Sequence, residues 1–292
     1  MSIVIATPTG NIGSRLVSNL LKAGADLALI ARSPDRLPED VRRRVAVKQG
    51  TLQDSEFVAR ATEGADALFW LTPTDPTKPG LKAWYDQMAA SVSGAVKSNG
   101  IRYVVNLSSG GVTLPDAGPV SGLAVVEGRL NETDANVLHL RPGMFFENIL
   151  MQIETLRSMS TLFGLIGPDV LLPQLATRDI ADAAAPPLLR RDWTGKQVRG
   201  LHGPTDLSSN DVASILSDVL GRQVRYVQVA PEQMKTGLLS TGMCEEWADA
   251  LIDMYEAFIK AGKVPEPRTP ETTTPTTLQE WATDVLKPML AA

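Results

Sequence analysis

Two segments of this 292-residue chain combine residue types and spacing that suit ligand chemistry. The first is Thr7-Pro8-Thr9-Gly10-Asn11-Ile12-Gly13, set between the apolar run Ile3 to Ala6 and an amphipathic stretch. A dinucleotide fingerprint places three glycines in such a turn. One makes the tight turn, one admits the pyrophosphate, and one lets helix and strand pack closely. Gly10 and Gly13 fill the second and third places, and Thr7 stands in the first. The second segment is Ala31-Arg32, at the end of the next apolar run. An acid there would hold a ribose diol and repel a 2′-phosphate, whereas an arginine pairs with that phosphate. No Asp or Glu occurs between Asp26 and Asp35, so Arg32 predicts NADP(H) in preference to NAD(H). The competing readings are an ordinary turn with helix-packing glycines and a solvated surface arginine.

Other chemistries lack their residues. The Tyr-x-x-x-Lys pair of classical short-chain dehydrogenases, in which lysine lowers the tyrosine pKa for proton exchange, is absent. Four residues after Tyr85, Tyr103, Tyr226 and Tyr255 lie Ala89, Leu107, Ala230 and Ile259. No lysine occurs between Lys97 and Lys196, and no tyrosine between Tyr103 and Tyr226. There is no Gly-x-Ser-x-Gly elbow, Walker loop or His-Glu-x-x-His. Ser108 and Ser109 sit at a strand end without an obvious histidine base. His139, inside Val137 to Leu140, is expected to be a partly buried strand residue bonded to backbone. His202, before Gly203-Pro204, is expected in a loop.

The positioning elements follow from apolar patterning. The short apolar run at 3–6 reads as a strand buried on both faces, and runs at 27–31, 45–47, 67–71 and 103–107 read as further strands. Between them, Ile12, Leu16 and Leu20 recur every four residues, with Gly24 as the stop. Asp54 or Ser55 caps a short helix carrying Phe57, Val58 and Ala61. Trp84, Met88, Val92 and Val96 define a helix over 81–98. This order predicts an α/β fold, a doubly wound parallel sheet of Rossmann type, with ligands at the carboxyl ends of the strands. Those ends are Thr7 to Gly13, Arg32, Thr51 to Asp54, Thr72-Pro73 and Ser108 to Gly111.

Composition removes further classes. The 28 basic and 33 acidic residues give a net charge of −5, spread along the chain, so no direct grip on nucleic acid is expected. Cys244 alone cannot form an intramolecular disulfide, and with His139 and His202 it makes no clustered transition-metal site. No window approaches the roughly 20 apolar residues of a membrane span. The start of the chain lacks the basic region of a secretory signal. A soluble, cytoplasmic protein without a bound metal is the expectation.

Taken together, the motifs resemble the NmrA-like group of atypical short-chain dehydrogenase/reductases. The matching segments are Thr9 to Gly13, Ala31 to Pro34, Asn106 to Ser109, Glu127 on a helix, Leu140 to Asn148, Thr177 to Ala181, and Gly203-Pro204 leading into a helix. Pro267 to Pro270 ahead of Leu278 to Trp281 resembles the tail of the group. The resemblance implies an NAD(P)-binding domain over 1–150, to which 170–202 returns, and a smaller interleaved C-terminal α/β lobe over 203–292. It implies cofactor contacts from Thr7, Thr9, Gly10, Asn11, Ile12, Gly13, Arg32, Leu52, Leu71, Thr72, Pro73, Ser108, Pro142, Gly143 and Phe145. Ser108, Ser109 and Glu127 are candidates for polarising a substrate, although Glu127 equally suits a structural carboxylate holding an amide or an arginine. The catalytic lysine of the isoflavone-reductase branch has no counterpart, which argues against that branch. Members include reductases of quinone or imine and iminium type and regulators that bind dinucleotide without turnover. The expected activity is therefore NADPH-dependent reduction of a small conjugated or cyclic molecule. The alternative is a non-catalytic NADP(H) sensor acting through a protein partner, and a homodimer stands open in either case.

In the C-terminal half, Met144 to about Met159 is expected to be one helix. Asp179 is expected to cap the next, and Pro186-Pro187 to bend or end it. Ser208 with Asp211 resembles a capping box for a helix that Gly221 stops. Val224 to Val229 reads as a strand. The helix carrying Trp247, Met254, Tyr255 and Phe258 either covers the substrate cleft or packs a lobe core. Pro265 to Thr277 reads as a loop strapped over the surface.

Overall fold

A computed structural model describes residues 2–262 and 266–291. The strands are β1 (Ser2–Ala6), β2 (Leu27–Ala31), β3 (Ala46–Gln49), β4 (Ala65–Leu71), β5 (Tyr103–Leu107) and β6 (Asn136–Pro142). They continue as β7 (Met144–Phe145), β8 (Thr161–Gly164), β9 (Leu172–Leu175), β10 (Lys196–Leu201), β11 (Asp206–Leu207) and β12 (Arg225–Gln228). The longer helices are α1 (Asn11–Lys22), α3 (Ser55–Ala61), α4 (Leu81–Asn99), α5 (Gly118–Asn131), α6 (Ile153–Met159), α7 (Thr177–Arg190), α8 (Ser209–Leu220), α9 (Pro231–Ser240) and α10 (Glu245–Ala261). Three single-turn helices complete the set: α2 (Glu39–Arg42), α11 (Leu278–Trp281) and α12 (Lys287–Ala291).

Seven strands form one parallel sheet in the order β10-β6-β5-β4-β1-β2-β3. Successive side chains of a strand point to opposite faces. Ile3 and Ile5 of β1 therefore enter one core with Leu16, Leu20 and Phe69, while Val4 and Ala6 enter another with Trp70, Met88 and Val92. Helices α1 and α7 cover the first face, and α3, α4 and α5 the second, which explains why β1, β2 and β4 read as apolar runs, while the edge strands β3 and β10 carry exposed polar residues. Chain direction across the sheet reverses between β1 and β4, and a crevice opens at such a switch point.

A third core joins Phe146, Leu156, Leu162, Leu216, Trp281 and Leu286 in the smaller lobe. Two small sheets, β11-β9-β7 and β12-β8, frame it. The capping box of α8 is formed, with Ser208 Oγ accepting from Asp211 N at 3.0 Å and Gly221 closing the helix at φ 66°.

Four local expectations are corrected. Met144 to Met159 is not one helix, because Met144 and Phe145 pair with Gln174 and Leu175 before a 3₁₀ stretch leads into α6. Of the bend or end expected at Pro186-Pro187, the end does not occur: α7 runs on to Arg190, because burial of Pro187 and Leu188 offsets the missing N–H donors. Asp179 does not cap α7. Its carboxylate accepts from Thr276 N at 3.0 Å and Thr276 Oγ1 at 2.6 Å, and Glu147 takes the capping place at Thr177 instead. His202 is buried and paired, with its N–H donating to Thr272 O at 2.8 Å and its carbonyl accepting from Thr274 N at 2.7 Å.

The strap over 266–277 thus docks along the edge of the main sheet. Arg268 reaches the Gly203 carbonyl and Asp206, and Thr277 caps α11 by accepting from Glu280 N at 3.1 Å. Pro265, where the strap was expected to begin, lies outside the described residues.

Candidate active site

The glycine turn is built around a backbone kink. Thr7 sits at φ 55°, in the left-handed region where the fingerprint places its first glycine. Its hydroxyl donates to the Ala6 carbonyl at 2.7 Å. A methyl on Gly13 would overlap the Thr7 carbonyl, so helix and turn pack as closely as the third glycine requires. A methyl on Gly10 would meet no protein atom nearer than Thr7 O at 3.8 Å. The protein itself does not demand glycine there, and the open side faces a cavity. Helix α1 begins at this point with no side-chain cap and no acid in its first turn. Its free N–H groups and dipole form a seat for a pyrophosphate.

That cavity encloses about 450 Å³. Thr7, Thr9, Gly10, Asn11, Ile12, Arg32, Leu52, Leu71, Pro73 and Phe145 line it, as do Arg36, Gln53, Trp84, Glu147, Asn148 and Thr177, which were not among the expected cofactor contacts. Asp54 caps α3 by accepting from Phe57 N at 2.9 Å, and this fixes the Thr51 to Gln53 wall. Arg32 and Arg36 are both exposed at the rim beyond β2. Asp35, between them, pairs with Arg42 at 3.3 Å, so the cavity mouth stays cationic.

A second cavity of about 210 Å³ adjoins the first, and Phe145 and Asn148 line both. Its walls come from Ser109 and Gly110 after β5, Pro142 and Gly143 at the end of β6, and Met254, Tyr255 and Phe258 of α10. Two glycines permit this closeness. A methyl on Gly143 would overlap the Pro173 carbonyl, and one on Gly111, at φ 81°, would stand 2.6 Å from the Phe258 ring. No charged side chain lines this cavity among the described residues.

Residues 8–145 match a family model described as NAD(P)H-binding. The chain is 30% identical over 255 residues to the NAD(P)H azoreductase of Xenophilus azovorans, covering 87% of this chain and 86% of that one. It superimposes on the Escherichia coli NADPH-dependent quinone oxidoreductase complexed with NADPH with a TM-score of 0.80, at 21% identity over 97% and 99% of the two chains. A doubly substituted NmrA aligns over 99% and 95% with a TM-score of 0.73 at 18% identity. This chain belongs to the NAD(P)H-binding oxidoreductases and has the NmrA-like fold.

In this NmrA-like chain the remaining residues singled out from the sequence divide: Ser109, Pro142 and Gly143 line the second cavity, whereas Thr72, Ser108 and Glu127 line neither. Thr72 is buried beneath the first, its hydroxyl accepting from Trp70 Nε1 at 3.0 Å. Ser108 is also buried, and its hydroxyl has no partner among the described residues. Ser109 reaches the second cavity, but its hydroxyl donates to the Gly110 carbonyl at 3.0 Å. Glu127 lines neither cavity. It accepts two hydrogen bonds from Arg141, at 3.0 Å and 2.6 Å, and Arg141 donates a third to Glu266 at 2.9 Å. Burial pushes the Glu127 carboxyl up, but Arg141, through its hydrogen bonds and its charge, outweighs this and holds the group below its ordinary value.

His139 bonds to side chains rather than backbone. Asn106 Nδ2 donates to its Nδ1 at 3.1 Å, and its Nε2 donates to Asn131 Oδ1 at 3.0 Å. Those partners suit one neutral tautomer, and burial holds the imidazole below its ordinary pKa. Near the crevice, the Glu147 carboxylate accepts from Thr177 N at 3.0 Å, Thr177 Oγ1 at 2.6 Å and Trp281 Nε1 at 3.1 Å. It thereby ties the Phe145 to Asn148 segment to α7 and to the smaller lobe. Among the described residues no helix is long and apolar enough to cross a membrane.

Proposed function

We propose that this chain is an NADPH-dependent reductase of a small, flat, conjugated molecule of quinone, azo or imine and iminium type. The observation that carries the reading is the meeting of two unlike cavities at Phe145 and Asn148. One is a dinucleotide seat with a cationic rim. The other is apolar and uncharged. A dry cavity of about 150 Å³ holds benzene, so a volume of about 210 Å³ suits one or two rings. The names of the azoreductase and quinone oxidoreductase relatives point the same way.

In this reading the turn from Thr7 to Gly13 holds the pyrophosphate, and Arg32 with Arg36 favours NADPH over NADH by pairing with the 2′-phosphate. Leu52, Leu71 and Pro73 enclose the adenine side. Phe145, Pro142 and Gly143 border the nicotinamide side, with Thr72 and Ser108 supporting the strand ends beneath. The bound cofactor supplies a hydride. The protein orients the acceptor against it and excludes water, which suits substrates whose conjugation or charge already supports the transfer. Ser109 orients a polar edge of the substrate. Glu127 acts indirectly, fixing Arg141 and the β6 end.

The test is NADPH oxidation with a naphthoquinone, an azo dye and a cyclic iminium salt, against simple alcohols and aldehydes. Turnover of the conjugated acceptors alone is expected. Tight NADPH binding with turnover of none would instead favour a dinucleotide sensor acting through a partner.

A further inference from the structure

The helix after β5 carries no tyrosine, yet a tyrosine reaches the apolar cavity from elsewhere. Tyr255 stands on α10, 17 residues long, which contributes one wall of the cavity through Met254, Tyr255 and Phe258. Reduction of a C=O or N=N bond leaves negative charge on oxygen or nitrogen, and among the described residues no cation lines the cavity to meet it. The Asn148 amide in its lining can donate a hydrogen bond but cannot give up a proton, so the hydroxyls are decisive. Ser109 gives its proton to the Gly110 carbonyl at 3.0 Å. Tyr226, beside the wall, gives its own to the Ile166 carbonyl at 2.6 Å. Tyr255 lines the cavity, is half-buried, and has no hydrogen-bond partner for its hydroxyl among the described residues.

We propose that Tyr255 donates the proton that accompanies hydride transfer to neutral acceptors, taking the place of the missing tyrosine-lysine pair. The proposal rests on the reductase reading above. For an acceptor X=Y, hydride from the dihydronicotinamide adds to X, the π pair moves to Y, and Y takes the Tyr255 phenolic proton. The substrate becomes HX–YH, NADPH becomes NADP⁺, and the tyrosinate regains a proton from water at the open mouth. Burial raises the Tyr255 pKa, which keeps the group protonated and makes it a donor rather than a base.

An N-alkyl iminium needs hydride alone, and this gives the test its discrimination. Tyr255→Phe, which keeps the ring and its packing, should lower kcat with a naphthoquinone by about 100-fold, the lower end of general-acid contributions. It should leave reduction of an N-alkyl iminium within about twofold. A second readout needs no cofactor. Binding of 4-nitrophenolate, read from its visible absorption, should weaken about tenfold in the variant, as loss of a hydrogen bond to a charged oxygen requires. Equal losses with quinone and iminium, or no loss with quinone, overturn the assignment. Absence of turnover by the unsubstituted protein with either acceptor would overturn the reductase reading instead, while the 4-nitrophenolate result still decides whether the Tyr255 hydroxyl serves the cavity.

Discussion

The carbonyl of Thr7 occupies the space that a side chain on Gly13 would need. This contact joins the first turn of α1 to β1 and sets the height of the helix end above the crevice. Gly13→Ala forces the two apart against backbone, which does not yield as a side-chain tip would. Overpacking of this kind costs about 1–3 kcal/mol. NADPH affinity, followed by the fluorescence of the reduced nicotinamide, is expected to fall at least about tenfold, and the melting temperature by several degrees. Gly10→Ala should leave the melting temperature nearly unchanged and weaken the dinucleotide alone. Equal melting losses in both variants would contradict the separate roles given to the two glycines.

Arg32 predicts cofactor choice. A charge-assisted bond contributes about 1.5–3 kcal/mol, or roughly 10- to 100-fold in affinity. Arg32→Ala should raise the NADPH dissociation constant within that range and leave NADH within about twofold. Arg36→Ala should act in the same direction and more weakly. An unchanged NADPH:NADH ratio in the double variant would remove both residues from the assignment.

The Glu127–Arg141 pair predicts an acid limb in stability. In the folded chain the Glu127 carboxyl lies below its ordinary value of 4.5, so the unfolded chain binds the proton first. Its contribution is complete above that value and is lost as pH falls below it. Glu127→Gln should lower the melting temperature at pH 7 and flatten its decline below about pH 4.5. Parallel curves for the two proteins would show that the pair does not carry the acid sensitivity. His139 adds an earlier decline, because its folded pKa lies below the ordinary 6.5 and the unfolded chain again takes the proton first.

Glu147 links three elements through one carboxylate. Glu147→Ala removes the cap of α7 and leaves the Trp281 indole N–H without its partner. A loss of about 2 kcal/mol follows from the cap and the indole bond together. At roughly 2–4 °C per kcal/mol, the melting temperature should drop by about 4–8 °C. Glu147→Gln, which keeps one acceptor, should lose about half as much. Calorimetry of the three proteins decides it.

Local patterning exposed most of the nucleotide half. The runs at Ile3, Leu27 and Tyr103, the stripe from Ile12 to Leu20 and the register of the glycine turn each depend on neighbours within a few positions. What escaped depends on partners far along the chain. Asp179 has the sequence of a helix cap, but Thr276, 97 residues away, claims its carboxylate. Glu147 has no local signature, since Thr177 and Trp281 give it its role. Pro186-Pro187 breaks an isolated helix, and only burial against the sheet shows why this one continues. Tyr255 was visible as a residue on the last long helix. Its arrival beside Ser109 rests on the packing of Phe258 over Gly111, which no spacing in the chain encodes.

The strap has a consequence for how the molecule is made. Arg141 waits 125 positions for Glu266, and Glu147 waits 134 for Trp281. A charge buried without its partners is costly, so these sites cannot close until residues 266 and 281 have been made. The glycine turn and the strand ends of β1 to β4, which make one side of the dinucleotide crevice, can assemble early, in line with N-terminal units folding first, while Phe145, Glu147, Asn148 and Thr177 join it later. The wall carrying Tyr255 and the strap that fastens β6 come last. Each molecule therefore passes through a stage in which it holds one side of its nucleotide seat and has not yet built the place where a second molecule would be reduced.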